Sequence, residues 1–208
     1  TDLARFREWA GSTRFPELGR IDWVSGEIEI DMSPEDLNSH GTPKSALTAG
    51  LHPIVEWTDL GIVLTDSFRW TSAEADLSCE PDVLVVRFAS LESGRVRLVE
   101  RKRKKGRFVE VEGAVDLVIE CVSDSSVEKD LERFPRLYYK AGATEYWVVD
   151  ARSEDLRLTL YERGPRAFRP VAPDRKGFRR SGVLGRSVRL QALPPRHRVV
   201  RHVLETRD

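Results

Sequence analysis

The chain has 208 residues, enough for one domain with a substantial core and few for two, so we expect a single domain over residues 1–208. Its 34 basic and 34 acidic side chains give a formal net charge of +0 at pH 7, which excludes general attraction to polyanions. No apolar run reaches the length of a membrane span, no signal-peptide pattern is present, and Cys79 and Cys121 lack metal-ligand spacing, so we expect a cytoplasmic protein with free thiols and no membrane contact.

The first half of the chain predicts a hairpin, a helix and two strands. The segment "RIDWVSGEIEIDMSP" alternates on both sides of Ser25 and Gly26, as a β-hairpin does. Residues 43–58 have apolar side chains at helical spacing, with Pro53 as a kink. The segments "GIVLTDSFRWT" and "EPDVLVVRF" then predict strands, separated by a polar loop over residues 72–78.

The second half predicts a basic hairpin, a buried strand and a helix. Residues 95–112 alternate around a basic tip, which indicates a protruding hairpin, and residues 116–122 read "DLVIECV", as a strand covered on both faces does. The next helix begins just before Pro135 and ends at Gly142. Its packed face comprises Leu131, Phe134, Tyr138 and Ala141. Two more strands, then short strands and a Pro/Arg-rich tail, complete an α+β pattern with a mixed central β-sheet flanked by few helices.

Two acids occupy the predicted core strands. Asp82 lies at the start of "PDVLVV", and Glu120 lies within "VIECVS". A carboxylate in a buried strand is costly to desolvate unless it is paired, protonated or bound to a metal. If the two strands are neighbours, both acids can bind one divalent cation, because hard ions such as Mg²⁺ take oxygen ligands. The alternative is that Glu120 is a hydrogen-bonded structural acid.

Four ordered segments resemble a known protein family. The segments "SGEIEIDMSP…H", "PDVLVV", "DLVIECVS" and "YYKAGATEYWVVD" resemble the Uma2-type (DUF820) proteins of the PD-(D/E)xK nuclease superfamily, over a core of about residues 20–190. The resemblance implies a restriction-endonuclease-like fold and hydrolysis of DNA with Mg²⁺, or Mn²⁺ as a substitute. It makes Asp82 and Glu120 the metal ligands. It also matches Glu27 to the family's Glu after the first strand and His40 to the family's His at the start of the first helix, and so implies that both are catalytic.

The catalytic lysine is where this sequence departs from the family. The simplest superfamily pattern places the lysine two residues after the second acid, where this chain has Val122. The Uma2 pattern usually places it in the following helix, where this chain has Phe134. We predict that Lys129, between the acid strand and the helix, is the replacement, where it would offset developing negative charge. Arg133 and Lys140 are alternatives, and Lys129 as an exposed loop lysine is another.

His40 and Glu27 each have two interpretations. His40 can shuttle a proton or contact a phosphate near neutral pH, or it can bond backbone groups at the start of a helix. Glu27 can assist metal binding through water or hold Lys129 in place, or it can be an exposed hairpin acid. Glu29 and Asp31 share its strand face, and such crowding favours a cation or a basic partner there.

The basic hairpin is the predicted contact with DNA. Cationic side chains on such a tip bind phosphates without sequence preference and in a salt-sensitive way, although many charge runs are only solvated loops. The predicted nucleic-acid-binding residues are Arg101, Lys102, Arg103, Lys104, Lys105 and Arg107.

Three functional classes remain open from the sequence. The leading prediction is a metal-dependent endonuclease acting on DNA, and a homodimer would suit the cutting of both strands of a duplex. The alternative is a non-catalytic nucleic-acid- or protein-binding module that retains the nuclease fold, which the absence of the usual lysine favours. A regulatory or toxin-like partner is a third class that no residue pattern addresses.

Overall fold

Strands and short helices alternate along the chain. The structure, a computed structural model, describes residues 1–102 and 104–208. The strands are β1 (Arg20–Val24), β2 (Glu27–Asp31), β3 (Gly61–Thr65), β4 (Arg69–Ser72), β5 (Leu77–Cys79), β6 (Val83–Arg87), β7 (Val96–Glu100), β8 (Phe108–Gly113), β9 (Leu117–Cys121), β10 (Glu145–Asp150), β11 (Arg157–Arg163), β12 (Phe168–Pro170), β13 (Arg179–Ser181), β14 (Arg186–Arg196) and β15 (Val199–Arg207). The helices are α1 (Leu3–Ala10), α2 (Thr42–Val55), α3 (Phe88–Glu92) and α4 (Phe134–Lys140), with π-helical turns at Leu37–Gly41 and Lys129–Arg133 that lead into α2 and α4.

The described strands form three sheets. The first has the order β2-β1-β5-β4-β8-β7, the second β12-β11-β10-β9-β6-β3 and the third β13-β14-β15. The first two are mixed, because β4 runs parallel to β8 and β9 runs parallel to β10 while their other pairs are antiparallel. The predicted α+β class with mixed sheets and few helices is confirmed, with the strands divided between two six-stranded sheets instead of one central sheet.

The second sheet is covered on both faces, as the apolar run of β9 predicts. One face packs against α2 and the third sheet, where Leu47, Ile119 and Leu204 belong to one buried cluster. The other face packs against the first sheet and α4, where Val118 and Tyr138 belong to a second cluster. Successive residues of a strand alternate between faces, so Glu120 points to the same side as Val118, toward α4.

Two segments that were predicted to be irregular form strands in the structure. The predicted polar loop over residues 72–78 contains β5, because Leu77 and the following residues fill the core between the two large sheets. The predicted Pro/Arg-rich tail is a long antiparallel hairpin, β14–β15. Its two prolines follow Leu193 and precede Arg196, where the register shifts, so the missing proline amides fall at an irregularity of the ladder.

The prediction that Leu131 belongs to the packed face of the helix is wrong. Phe134 and Tyr138 are buried, but the side chain of Leu131 is 42% exposed. Leu131 lies in the π-helical turn, whose i→i+5 hydrogen bonds place it out of phase with the α-helical residues that follow.

Within residues 1–102 and 104–208, every helix is too short or too polar to cross a lipid bilayer.

Candidate active site

Asp82 and Glu120 face each other at one end of the second sheet. Val83 pairs with Ile119 in the antiparallel ladder of β6 and β9, so the preceding residue, Asp82, stands opposite Glu120. Each acid is only 1% exposed. The backbone N–H of Asp82 donates to Glu120 Oε2 at 3.3 Å. The neighbouring strands therefore bring both acids to one place.

Asp82 is surrounded by donors. Arg20 Nη2 donates to its Oδ1 at 2.6 Å, the N–H of Cys121 donates to its Oδ2 at 2.7 Å, and His40 Nε2 lies 3.2 Å from Oδ2. Burial alone would raise the pKa of Asp82, but the contact with His40 and the charge of Arg20 hold it well below its ordinary value. Asp82 is thus the charged member of the pair.

Glu120 has a different environment. The hydroxyl of Tyr138 donates to Glu120 Oε1 at 2.5 Å. Burial, followed by the negative charges of Asp82 and Asp130, raises the pKa of Glu120 well above its ordinary value. Two close carboxylates with opposite pKa shifts share their charge unevenly, which is a pattern found at catalytic and metal-binding sites as well as in structural networks.

His40 and Glu35 extend the acid pair. His40, in the π-helical turn before α2, is 4% exposed. Its Nδ1 lies 3.2 Å from Glu35 Oε2 but is a buried nitrogen without a hydrogen-bond partner in the described part of the chain. One ligand atom each from Glu35, His40 and Asp82 lie within 4.8 Å of one another. The unpartnered Nδ1 faces Glu35, while Nε2 on the other side of the ring faces Asp82. A buried imidazole nitrogen beside carboxylate oxygens is a donor set that a divalent cation takes directly.

Lys44 fixes the outer acid of this group. Its Nζ donates to both carboxylate oxygens of Glu35 at 2.9 Å and to Asp66 Oδ1 at 2.9 Å. Burial raises the pKa of Glu35, but the hydrogen bond from Lys44 and the charge of His40 reverse that effect and lower it. Glu35 is therefore an ionised carboxylate beside His40.

Lys129 reaches the same region from the other side. Its Nζ lies 3.9 Å from Asp22 Oδ2, and its side chain is 13% exposed, so Lys129 is not an exposed loop lysine. Burial raises the pKa of Asp22 to about 6, against the charges of Lys129 and Arg20. Both cations line a groove of about 590 Å³ with Asp22, next to a second groove of about 460 Å³ that His40 and Glu35 line.

A family model decides the relationship of this chain to known proteins. The model, described as "Uma2: Putative restriction endonuclease", matches residues 3–184. The chain belongs to the Uma2 family. This match confirms the resemblance seen in the sequence motifs.

The chain is similar to a solved structure of another protein. It is the crystal structure of a "putative nuclease belonging to DUF820" from Anabaena variabilis, with a TM-score of 0.64 and 16% sequence identity over 89% of this chain and 91% of that chain. At this identity the likeness shows the fold alone. Among curated proteins, none matches the chain. The family description supports a nuclease-type function.

Glu27 is not brought to the Uma2 acid pair. It is exposed at the turn end of the β1–β2 hairpin, where it pairs with Val24, whereas Arg20 and Asp31 pair at the opposite end. Four residues of strand separate the two ends by about 13 Å. The placement of Glu27 beside the metal or Lys129 is therefore wrong. Asp31 lines both grooves instead.

Of the two alternative cations, Arg133 lines the same groove as Arg20 and Lys129. Arg133 is ion-paired with Glu29, and Lys140 is exposed at the end of α4.

In the basic hairpin, Lys102 Nζ donates to Glu8 Oε1 at 2.7 Å, and the residues Arg101, Lys104, Lys105 and Arg107 lie at or beside its tip. Arg103 lies outside the described residues.

Sequence reasoning missed Arg20, Asp22, Glu35 and Lys44. Arg20 and Asp22 occupy alternate positions of β1, so they point to one face of the strand. The remaining residues of β1 are apolar, so this pair of charges on one face was a signal in the sequence. Glu35 and Lys44 lie nine positions apart around a π-helical turn. Their ion pair depends on the path of that turn, which spacing does not reveal.

Proposed function

We propose that this Uma2 family member is an endonuclease that hydrolyses phosphodiester bonds of DNA with Mg²⁺, or with Mn²⁺ as a substitute. The observation that carries the proposal is the convergence of Glu35, His40 and Asp82 beside Glu120, with the unpartnered Nδ1 of His40 facing Glu35. The family description, "Putative restriction endonuclease", and the fold shared with the "putative nuclease belonging to DUF820" support the same class of activity.

Asp82 and Glu120 would hold the metal, with His40 and Glu35 as further donors. Their three carboxylates suit Mg²⁺ and Mn²⁺, while an imidazole ligand favours the softer ion of the two, Mn²⁺. When bound, such an ion polarises a phosphoryl oxygen and lowers the pKa of a water molecule. With its Nε2 3.2 Å from Asp82, His40 is better placed as a ligand or a positioning residue than as a free proton shuttle.

Lys129 and Arg20 supply the positive charge that phosphoryl transfer requires. Arg20 is fixed by Asp82 at 2.6 Å, and Lys129 is held beside the buried carboxylate of Asp22. Both cations line the groove next to the acids. Preorganised cations in a partly buried site stabilise negative charge that develops on the phosphate and its leaving oxygen. We assign Lys129 the role of the relocated lysine.

A second candidate function is a binding module without catalysis. The ion pair between Arg20 and Asp82 favours it, because a protein cation already neutralises the acid that a metal would use. Phe134 at the usual lysine position agrees with it. In this case the basic hairpin would still bind nucleic acid, and both acids would serve only the fold.

The two candidates differ in a cleavage experiment. We would incubate plasmid and single-stranded DNA with Mn²⁺ or Mg²⁺ and compare the wild type with Glu120→Ala, Lys129→Ala and the exposed control Lys140→Ala. Nicking by the wild type and by the control, lost in the first two variants, supports the nuclease. Cleavage that persists in Glu120→Ala contradicts the assigned site. DNA binding without cleavage by the wild type supports the binding module. Homodimerisation and a cytoplasmic location stay predictions.

A further inference from the structure

The C-terminal hairpin β14–β15 is rich in arginine and lies beyond the residues that the Uma2 family model matches. The family match ends at residue 184, and β14 begins at Arg186. From that residue to Asp208 the chain has six arginines and no lysine, against two acids. Because the net charge of the whole chain is zero, this excess is a local basic cluster on one element.

The arginines of this hairpin fall into two groups. At its base, Arg186 pairs with Asp208, Arg189 with Glu205 and Arg207 with Asp174. Toward the tip, Arg196, Arg198 and Arg201 are exposed, and within the described residues their side chains have no salt bridge or hydrogen bond. The positive charge is therefore neutralised at the base and available at the tip.

The tip is held in a defined position. His197 and Arg198 have φ values of 51° and 67°, which form a tight hairpin turn between the paired residues Arg196 and Val199. The side chain of Asn38 grips this turn, since its Nδ2 donates to the carbonyl of Arg198 at 3.1 Å and its Oδ1 accepts from the N–H of Val200 at 2.9 Å. The tip arginines thus have a fixed backbone.

Asn38 also places the tip beside the active site. It belongs to the same π-helical turn as His40, whose Nε2 lies 3.2 Å from Asp82. Because Asn38 and His40 are two residues apart in one turn, the tip lies on the order of one helix diameter, about 10 Å, from His40. A DNA strand advances about 3.4 Å per nucleotide, so the tip stands about three nucleotides from the acids.

We propose that the β14–β15 tip is a nucleic-acid-binding arm, in which Arg196, Arg198 and Arg201 bind DNA phosphates that flank the phosphodiester in the active site. The placement of the cut rests on the proposed nuclease function, whereas the binding does not. Arginine suits this role because its planar guanidinium forms paired hydrogen bonds with phosphate. A two-stranded ribbon is also narrow enough to enter the major groove of duplex DNA.

The test measures DNA binding without cleavage. The affinity for a fluorescently labelled DNA duplex is measured by anisotropy in EDTA at several salt concentrations, for the wild type and for Arg196→Ala/Arg198→Ala/Arg201→Ala. Each lost phosphate contact lowers the slope of log K against log salt by about 0.9. The wild type should then lose about 40-fold more affinity than the variant between 50 and 200 mM salt, as follows from three such contacts.

Two further variants control the comparison. Arg166→Ala/Arg175→Ala/Arg180→Ala removes the same charge from exposed arginines outside β14–β15, and it should keep the wild-type slope. Replacing the three tip arginines with lysine keeps the charge and should keep most of the slope. Thermal unfolding of each variant shows whether the fold is retained.

The outcomes separate this inference from the nuclease proposal. Wild-type binding that depends on the tip, without cleavage in Mn²⁺, supports the arm and contradicts the nuclease. Cleavage by the wild type with an unchanged salt slope in the tip variant overturns the arm alone. An equal loss in the control triple variant also overturns it, because net charge would then explain binding. A wild type that binds no DNA overturns it as well.

Discussion

The ammonium of Lys129 lies 5.0 Å from the centre of the Phe134 ring. Phe134 occupies the place in α4 where the Uma2 resemblance puts the catalytic lysine, four residues before Tyr138. Lys129 reaches this place from the first residue of the π-helical turn that precedes α4. Lys129 therefore places a positive charge beside the position of Phe134, from five residues earlier in the chain.

This relationship predicts a rescue. Lys129→Ala should lower the cleavage rate by about 10²–10³-fold, the usual loss when one preorganised charge-stabilising donor is removed. Adding Phe134→Lys to that variant should restore part of the rate, because the new ammonium starts from the family position. Plasmid nicking in Mn²⁺ measures both, with Lys140→Ala as the control. A Lys129→Ala variant as active as the control would contradict the relocated lysine.

Metal binding should depend on His40 as well as on the acids. Isothermal titration with Mn²⁺ should show binding lost in Asp82→Asn and weakened by about 10–100-fold in His40→Ala, with a smaller loss for Mg²⁺ because imidazole is a poorer ligand for that ion. His52→Ala, a partly exposed histidine of α2, is the control. Equal Mn²⁺ affinity in His40→Ala and the wild type would remove His40 from the ligand set.

The acid pair was predictable from the sequence because it follows from local pattern alone. An unbroken apolar run makes β9 a strand buried on both faces, and Glu120 within it requires a partner. Asp82 begins another such strand, and antiparallel pairing of the two strands puts the acids opposite each other. The order of these motifs was also enough to indicate the family.

The partners of the acids were not predictable, because tertiary placement decides them. Arg20 and Asp22 share a face of β1, but only the tertiary placement of β1 shows that Arg20 reaches Asp82. Glu27 and Asp31 have the same strand parity, so only the direction of the hairpin reveals which of them reaches the grooves. The buried β5 and the long β14–β15 hairpin were hidden by polar residues and prolines that local propensity assigns to loops.

Asp130 should make stability depend on pH. It is buried, Ser126 Oγ donates to its Oδ2, and burial raises the pKa of Asp130 from 3.8 to about 6. A raised carboxyl pKa contributes stability that is full below about pH 4 and is lost as the pH rises through about 6. Asp130→Asn retains an acceptor for Ser126, so it should raise the free energy of unfolding at pH 8 by up to about 3 kcal/mol and have little effect at pH 4.

Urea unfolding followed by tryptophan fluorescence at pH 4, 6 and 8 measures this difference. The exposed Asp124→Asn, whose side chain is 97% accessible, is the control for the loss of one negative charge. A stability gain of the same size at all three pH values would show that the effect of Asp130→Asn comes from packing or net charge and not from proton binding.

The basic hairpin β7–β8 should contribute salt-sensitive affinity for DNA. β1 is antiparallel to β5, β5 to β4, and β4 is parallel to β8, so the β7–β8 tip leaves the same end of the first sheet as Arg20. Three strand spacings separate β1 from β8 by about 14 Å, which is within reach of a DNA strand that occupies the grooves.

Lys104→Ala/Lys105→Ala should reduce the slope of log K against log salt by about 1.8, which is about 12-fold in affinity between 50 and 200 mM salt. Lys140→Ala/Lys176→Ala removes the same charge elsewhere and should leave the slope unchanged. If both pairs give the same slope, the hairpin is a solvated loop, and the DNA contacts belong to other elements.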